Sequence, residues 1–430
     1  MKKQWYRLDN AALIFPAIIR KNWNNVFRVS VSLREKVDPL TLDRAIAALA
    51  PRFPTCFVRL KAGFFWYHLE TVDTPPRCRE DYAYPLTHMT RRELKTCCVR
   101  FLYHENRIAA EVFHSVTDGT GGMTLLQNLA AVYLEMAGKG AVPRGGRLVD
   151  IREPSTPEER RDCFLLCAAE KTLSRGEDTA YRLRGTREKG NFRHIVTGIV
   201  PTDLLLAKAH EQGVTVTAYL AAALAEAAGE IQAAQGRTGK RARPLKITIP
   251  VNLRRTFGLE TMRNFTLAVN LGVDPRLGHW TFEETCRQIG HLLAAETVPQ
   301  RMAGRVATNV TLQKNLLIRL IPLPLKTAAM RTVYALTGEN KGCLNLSNMG
   351  SITLPPEMAA QIERFEFIIG VQYSYPNNCS VVSWGGKTYI SMIRGIRESE
   401  LERLVFSRMV ERGIPVEIES NAPIGKEKRR

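Results

Sequence analysis

The chain alternates strand-like and helix-like segments in two successive series, and this alternation limits the folds that it can adopt. Residues 26–33 alternate apolar and polar side chains as a half-buried strand does, and residues 39–50 then place apolar side chains at helical spacing. The alternation stops in residues 139–193, which are rich in charges and turn residues, and it starts again at residues 194–200. Two such series predict an α/β fold of two similar halves, each a mixed sheet covered by helices.

The length of the chain agrees with two domains. At 430 residues it exceeds the size at which a single hydrophobic core usually stops growing. Its 45% hydrophobic and 24% charged residues are typical of a globular protein and exclude a disordered one. We predict an N-terminal domain over residues 1–160, a connector over residues 161–193 and a C-terminal domain over residues 194–430. A short helix is expected over residues 157–173.

Targeting segments and metal motifs are not recognisable in the sequence. The apolar run of residues 11–19 contains Pro16 and leads directly into Arg20 and Lys21, so it does not resemble a signal peptide. No uncharged apolar stretch reaches the roughly 18–20 residues of a membrane-spanning helix. The nine cysteines form no Cys-x-x-Cys pair, and we interpret them as reduced, mostly buried thiols. We therefore expect a cytoplasmic protein without a metal site, and leave open an association with a membrane surface.

The formal charge of +19 calls for an anionic partner or for a strongly solvated basic surface. Basic residues are concentrated in residues 182–193, 237–255 and 301–331, and the last segment holds six basic residues and no acidic one. Aromatic residues are not interleaved with these clusters and no nucleic-acid motif is present, so nucleic acid is not predicted as a partner. A phosphorylated small molecule, an acidic carrier protein and an anionic membrane stay open.

A histidine at the end of a predicted strand is the principal candidate for chemistry. Residues 107–114 are predicted as a strand that ends in Phe113-His114-Ser115-Val116-Thr117-Asp118-Gly119, and a helix is predicted over residues 123–135. The glycines that follow allow a sharp bend or a close approach of the backbone. Since the ordinary pKa of histidine is about 6.5, His114 can take a proton near neutral pH. The alternative is a histidine with a purely structural role at the strand end.

His-x-x-x-Asp-Gly at a strand end, in a chain of about this length, resembles the signature of the chloramphenicol-acetyltransferase-like superfamily. This superfamily includes nonribosomal peptide condensation domains, plant alcohol acyltransferases, and bacterial alcohol and polyketide acyltransferases. Further matching motifs, some before and some after His114, occur in the expected order along residues 5–410. They are Val37-Asp38-Pro39-Leu40, Arg52-Phe53-Pro54, Ile249-Pro250-Val251-Asn252-Leu253-Arg254, Asn264-Phe265 and Leu346-Ser347-Asn348-Met349-Gly350. The resemblance implies two domains packed face to face, with His114 midway along a channel between them.

The resemblance also implies a role for each matching residue. His114 would be the catalytic base that takes a proton from the acceptor. Asp118 would be structural and would pair with Arg254 rather than touch the substrate. Gly119 would allow the turn after the strand. No metal ligand and no bound cofactor are implied, and acyl-coenzyme A would be a co-substrate.

Two positions match the family less well. Ser347 or Asn348 would donate a hydrogen bond to the oxyanion, although a polar turn that closes a strand is an equally simple interpretation. Many relatives carry a second histidine directly before the catalytic one, and here that position is Phe113. This departure argues against a carrier-protein condensation domain without excluding catalysis, since several active branches also lack the first histidine.

The resemblance implies an acyltransferase that moves an acyl group from acyl-coenzyme A, or another acyl thioester, to a small-molecule alcohol or amine. We expect a monomer, and an acyl-carrier protein stays open as the donor. The alternative is a degenerate member that binds an acyl-carrier or another acidic partner. Because residues 237–255 lead into the strand that carries Arg254, the predicted site for the donor phosphates consists of Lys240, Arg241 and Arg243.

Two further segments have no motif. A strand is predicted over residues 64–69, and its aromatic residues Phe64, Phe65 and Trp66 are expected in the core or along a pocket. Residues 311–334 are predicted as a helix interrupted by two prolines.

Overall fold

The computed structural model describes residues 3–21, 23–173, 176–335, 340–373 and 375–422. The strands are β1 (Trp5–Arg7), β2 (Val26–Leu33), β3 (Val58–Ala62), β4 (Tyr67–Thr71), β5 (Arg79–Glu80), β6 (Val99–His104), β7 (Arg107–Phe113), β8 (His194–Pro201), β9 (Leu245–Asn252), β10 (Thr266–Val273), β11 (Leu344–Ser351), β12 (Ile362–Ile369), β13 (Asn377–Trp384), β14 (Lys387–Arg394) and β15 (Glu417–Ser420). The helices are α1 (Ile14–Ala17), α2 (Pro39–Leu49), α3 (Arg91–Thr96), α4 (Gly119–Met136), α5 (Phe164–Cys167), α6 (Thr202–Glu211), α7 (Val216–Ala234), α8 (Leu253–Phe257), α9 (Phe282–Glu296), α10 (Pro299–Lys314), α11 (Leu316–Leu320), α12 (Leu323–Val333), α13 (Pro356–Ala359) and α14 (Glu400–Glu411).

The first half of the chain forms a five-stranded sheet in the order β12-β2-β7-β6-β5 and a small sheet in the order β1-β4-β3. Helix α4 packs on β2 and β7, and α2 packs on α4. The edge strand β12 comes from the second half of the chain and pairs antiparallel with β2, with Phe367 opposite Val29. The first sheet is therefore completed by a strand that the second half supplies.

The second half forms a seven-stranded mixed sheet in the order β10-β9-β11-β13-β14-β8-β15. Strand β11 is parallel to both of its neighbours, β9 and β13, whereas the pairings of β10 with β9, β13 with β14, and β8 with β14 and β15 are antiparallel. Helices α7, α9 and α14 cover the sheet. The expected α/β fold of two halves, each a mixed sheet covered by helices, is confirmed.

The core is divided between the two halves, as the length of the chain predicts. One cluster of buried side chains lies between the first sheet and helices α2 and α4, and a second lies between the second sheet and its helices. All nine cysteines are free thiols, and all of them except the partly exposed Cys78 are buried, as predicted.

Two predicted elements are wrong in detail. The helix expected over residues 157–173 is reduced to Phe164–Cys167, because carbonyl groups upstream of it accept hydrogen bonds from another segment. The carbonyl of Glu159 accepts from the Met262 amide at 2.8 Å and that of Arg161 from the Thr261 hydroxyl at 2.8 Å. The strand expected over residues 64–69 begins at Tyr67, because the backbone turns at residues 63–66.

None of the described helices is by itself long and apolar enough to cross a bilayer. Helices α6 and α7 are long and apolar enough only when they are taken together, and the chain bends by 79° at the break between them.

Candidate active site

His114 lies at the point where the first sheet meets the second half of the chain. Strand β7 pairs with β2 up to Phe113, and the His114 amide then donates to the Asn25 carbonyl at 2.9 Å. Because successive side chains of an extended segment point to opposite faces, Phe113 is directed into the core and His114 towards the cleft. Phe113 is fully buried and His114 is half-buried. A histidine at position 113 would therefore not share the cleft with His114.

Two aromatic rings hold the His114 imidazole. Phe15 of α1 stacks on it with ring centroids 4.6 Å apart and an interplanar angle of 25°. Phe27 of β2 meets it edge-on, with centroids 5.2 Å apart. Packing between two rings restricts the imidazole to one orientation and shields it from water.

The Nδ1 atom of His114 lies 3.0 Å from Oδ1 of Asn264. The other end of the same amide donates from Nδ2 to Oδ2 of Asp9 at 3.3 Å. In its ionised form the Asp9 carboxylate only accepts hydrogen bonds, so it directs the NH₂ of Asn264 to its own side and the amide oxygen towards His114. An amide oxygen can only accept, so the proton of the neutral imidazole lies on Nδ1 and leaves Nε2 as the basic nitrogen.

The surroundings of His114 favour the neutral imidazole. Burial lowers its pKa below the ordinary value, although the Asn264 hydrogen bond and the charge of Asp118 oppose this shift. Asp9, which accepts a hydrogen bond from Asn264, is fully buried. Burial raises the pKa of the Asp9 carboxyl to about 7, although the positive charge of Arg263, 3.7 Å away, opposes this shift. The hydrogen bonds that link Asp9 through Asn264 to His114 were not predicted from the sequence, because Asn264 and Asp9 are distant in the chain from His114.

Asp118 is buried beside the cleft and joins the two halves. Its Oδ2 accepts from Nη1 of Arg254 at 2.8 Å and from the Phe265 amide at 2.8 Å, and its Oδ1 accepts from the Gly121 amide at 3.1 Å. Burial alone would raise the pKa of Asp118, but the charge of Arg254 and these hydrogen bonds lower it below the ordinary value. The contact that the sequence predicts between Asp118 and Arg254 is present, and Asp118 also caps α4.

The glycines of this turn are required by close packing. A Cβ atom on Gly119 would lie 3.0 Å from Cε of Met349 and 3.1 Å from the Phe367 ring, both from the second half. A Cβ on Gly122 would lie 2.6 Å from the Phe27 ring. Gly119 is the first residue of α4 and its φ is not positive, so the structure explains its small size by the approach of the two halves.

His114 lines a cleft of about 130 Å³ to which both halves contribute. Ser347 and Asn348 of β11 lie on the side of the second half, as does Asn252 at the end of β9. The amide of Asn348 donates from Nδ2 to the Thr217 hydroxyl at 3.1 Å, so one of its donors is already engaged. The sequence-predicted residues His114, Ser347 and Asn348 are therefore brought together in one cleft.

A second cavity of about 540 Å³ adjoins this cleft, and Val371 and Gln372 line both. Five cations and one carboxylate line it, namely Arg20, Lys21, Arg184, Arg187, Arg193 and Glu188. Burial lowers the pKa of the Arg193 guanidinium; Tyr84 opposes this shift and the charge of Arg187 adds to it. The buried Oε1 of Gln372 has no hydrogen-bond partner within the described part of the chain.

The structure places Lys240, Arg241 and Arg243 away from the cleft. They precede β9, whereas Asn252 at the other end of β9 lines the cleft. Eight strand residues at about 3.3 Å each separate the two ends by roughly 25 Å. Among the described residues, no group of three or more His, Cys, Asp or Glu side chains could hold a metal ion.

No protein-family model and no curated protein matches the sequence. Solved structures do match along nearly the whole chain. Polyketide synthase associated protein 5 from Mycobacterium tuberculosis is 16% identical, with a TM-score of 0.61 over 94% of this chain and 96% of that one. TRI101 from F. graminearum, in complex with coenzyme A and T-2 mycotoxin, is 10% identical, with a TM-score of 0.64 over 96% of this chain and 99% of that one. TRI3 trichothecene 15-O-acetyltransferase from Fusarium sporotrichioides is 12% identical, with a TM-score of 0.58 over 95% and 94%. The chain therefore has the two-domain fold of the chloramphenicol-acetyltransferase-like superfamily, to which its motifs also point.

Proposed function

We propose that this protein is an acyltransferase that moves an acyl group from acyl-coenzyme A, or another acyl thioester, to an alcohol or amine. The observation that carries the proposal is the hydrogen bond between His114 Nδ1 and Asn264, because it leaves a basic Nε2 in a cleft between the two halves. The structural relatives support the class of reaction, since TRI101 is complexed with coenzyme A and TRI3 is named as an acetyltransferase.

In the proposed reaction, His114 Nε2 takes the proton of the acceptor hydroxyl or amine as that group attacks the thioester carbonyl. The new bond converts the carbonyl to a tetrahedral oxyanion. When the oxyanion collapses, the carbon–sulfur bond breaks, and the imidazolium returns its proton to the leaving thiolate. No acyl-enzyme is formed, because the acceptor is the nucleophile.

The oxyanion requires a donor on the side of the second half. Of the two candidates from the sequence, Asn348 already donates to Thr217, so we favour the Ser347 hydroxyl. Along β11, Leu344 and Leu346 are buried in the core, and the alternating position 347 faces the cleft.

We assign the donor phosphates to the cationic cavity rather than to Lys240, Arg241 and Arg243. Arginines bind phosphate through two parallel hydrogen bonds, and five cations line this cavity. Gln372, between the cavity and the cleft, carries an acceptor for an amide N–H such as those of the pantetheine arm. The phosphates would then lie in one cavity and the thioester beside His114.

Two triple variants separate these donor assignments, and each removes three cations. Arg20→Gln with Arg184→Gln and Arg187→Gln should raise the KM for acyl-coenzyme A about ten- to a hundredfold, since an exposed charge contact contributes about 0.5–1 kcal/mol. Turnover at saturating donor should be retained, and the rise of KM with salt should become shallower. The matched control, Lys240→Gln with Arg241→Gln and Arg243→Gln, should behave as the wild type. The reverse pattern would return the site to Lys240, Arg241 and Arg243.

The pH profile tests the state of His114. Because burial lowers the pKa of His114, the acidic limb of kcat/KM, where the imidazole becomes protonated, should have its midpoint below pH 6.5. Asn264→Ala should move this acidic limb further down, because the lost hydrogen bond stabilises the imidazolium. It should also lower kcat about tenfold, because the loss of a hydrogen bond that contributes about 1.4 kcal/mol corresponds to a tenfold lower rate. An acidic limb with its midpoint above pH 6.5 that is retained in Asp9→Asn, which removes the carboxyl whose pKa is about 7, would contradict the assignment.

The proposed function itself is tested by release of free thiol from acetyl-coenzyme A with a panel of alcohols and amines. Acceptor-dependent release that depends on His114 supports the transferase. If no acceptor stimulates release and the protein still binds an acyl-carrier protein, the degenerate binding protein is the correct interpretation. A carrier-bound thioester is included as a second donor, because one structural relative is named as associated with a polyketide synthase.

A further inference from the structure

The outward face of helix α12 is apolar, which is unusual for a helix at a protein surface. Leu325, Ala328, Ala329 and Thr332 are all exposed, and their spacing of three and four residues places them along one face. Of the two charged residues of this helix, Lys326 is only 4% exposed, whereas Arg331 is exposed. A surface helix ordinarily buries its apolar stripe and exposes its charges, whereas α12 exposes Leu325 and buries Lys326.

Lys326 is turned inward and binds the tip of the β3–β4 hairpin. Its Nζ donates to the Phe65 carbonyl at 3.0 Å and to the Arg319 carbonyl at 3.3 Å, and it lies 3.4 Å from the centre of the Trp66 ring. The Leu323 amide also donates to the Phe64 carbonyl at 2.9 Å. The hairpin tip is thus fixed against the start of α12.

This arrangement gathers large apolar side chains that face solvent. Phe64 is 72% exposed, Leu320 67% and Leu325 65%. Phe64 was expected in the core or along a pocket, and that expectation is wrong because residues 63–66 form the hairpin turn. We call Phe64, Leu320, Leu325, Ala328 and Ala329 the apolar ridge.

Cations surround the apolar ridge without acidic neighbours in the sequence. Residues 299–333 contain six basic residues and no acidic one, although two of the six, Arg301 and Arg305, pair with Glu296. Lys314 and Arg319 are exposed, and Arg331 holds α12 to α1 by donating to the Ala17 and Ile19 carbonyls. This combination suits the surface of a bilayer with anionic headgroups. The apolar side chains can enter the interface of the bilayer, and the cations attract the anionic lipids.

We propose that the apolar ridge and its cations dock on the surface of an anionic lipid bilayer. A second copy of the chain does not fit this face equally well, because two copies would bring like charges together. The face also lies close to the proposed active site. Helix α12 contacts α1, whose Phe15 stacks on His114. A cavity of about 700 Å³, lined by Leu13, Trp66 and Arg319, opens beside the ridge, so a docked protein has this cavity next to the bilayer.

The test is sedimentation of the full chain with phosphatidylcholine vesicles and with mixed phosphatidylcholine–phosphatidylglycerol vesicles. The wild type should bind the anionic vesicles, and binding should weaken as salt rises. Phe64→Asn with Leu320→Asn and Leu325→Asn should weaken partitioning at least about tenfold, because the buried apolar area is lost. Lys314→Gln with Arg319→Gln should weaken it about thirtyfold, since each cation near the surface contributes about fivefold.

Matched controls are large exposed apolar residues elsewhere, namely Leu40→Asn with Tyr82→Asn and Leu277→Asn. This triple variant should bind vesicles as the wild type does. The proposal is overturned if the wild type does not bind anionic vesicles at low salt, or if the ridge and control variants bind equally. It is also overturned if the ridge variant abolishes self-association instead, because a second copy then covers the ridge. His114→Ala should bind vesicles normally, so failure of docking and failure of the proposed catalysis are distinguishable.

Discussion

Replacement of His114 by alanine should lower the turnover of acyl transfer by a factor of about 100 to 10,000, the usual contribution of general acid–base catalysis. The imidazole is the basic group that the structure places in the cleft, with its Nδ1 proton held by Asn264. Without it, the acceptor must lose its proton to water while it attacks the thioester. The measurement is thiol release under saturating donor and acceptor, with the midpoint of thermal unfolding as the check on folding.

The midpoint of thermal unfolding should change little, because His114 is half-buried and its ring packs mainly on those of Phe15 and Phe27. His279→Ala is the matched control, since His279 is exposed and lies in the second half. This control should retain wild-type turnover. If His114→Ala keeps more than a tenth of the wild-type turnover, His114 is not the base, and the cleft acts by binding alone.

The position of His114 could be predicted because local patterns determine it. The short apolar run over residues 107–114, which ends in turn residues, matches β7, which ends at Phe113. The following helix was expected only from residue 123, whereas α4 begins at Gly119. The glycines have low helix propensity, so the apolar periodicity becomes visible only after them, and the cap from Asp118 starts the helix earlier.

The surroundings of His114 could not be predicted, because they come from distant parts of the chain. Asn264 is 150 residues away from His114 and 255 from Asp9. Strand β12 joins the first sheet from the second half, and its Phe367 packs against Gly119. Periodicity reports which side of an element is buried and carries no information on which distant element covers it.

The sequence also does not show which cluster of basic residues lies near the cleft. Residues 182–193 and 237–255 are similarly basic in the sequence, and only the fold distinguishes them. Arg184, Arg187 and Arg193 line a cavity that shares Gln372 with the cleft, whereas the cations that precede β9 lie at its distant end. The domain boundaries over residues 1–160, 161–193 and 194–430 stay predictions.

Replacement of Asp118 by asparagine should lower the free energy of unfolding by about 3–5 kcal/mol, the cost of leaving one partner of a buried ion pair unpaired. The carboxylate accepts from Arg254, the Phe265 amide and the Gly121 amide. An asparagine has only one oxygen for these donors and directs an NH₂ group at one of them. Activity should fall as well, because the loosened Phe265 is adjacent to Asn264, which orients His114.

The pH dependence of stability gives an independent measure of the same pair. The pKa of Asp118 is lower in the folded state than its unfolded value of about 3.9, so its contribution is fully present above that value. The contribution is lost as the pH falls through the folded pKa. Because asparagine does not titrate, Asp118→Asn should show a smaller loss of stability than the wild type between pH 5 and pH 2.

The matched control is Asp150→Asn, which removes a carboxylate from a pair at the surface, in which Asp150 is half-buried and Arg152 is exposed. An exposed pair contributes at most about 1 kcal/mol, so urea unfolding should barely distinguish this control from the wild type. If Asp118→Asn unfolds at the same urea concentration as Asp150→Asn, the Arg254 charge is already compensated by its other contacts. Those contacts are the backbone carbonyls of Thr261 at 2.8 Å and Arg263 at 2.5 Å and the side-chain oxygen of Asn252 at 3.3 Å. A carbonyl dipole offsets less of a buried charge than a carboxylate does. The larger loss is therefore the expected result.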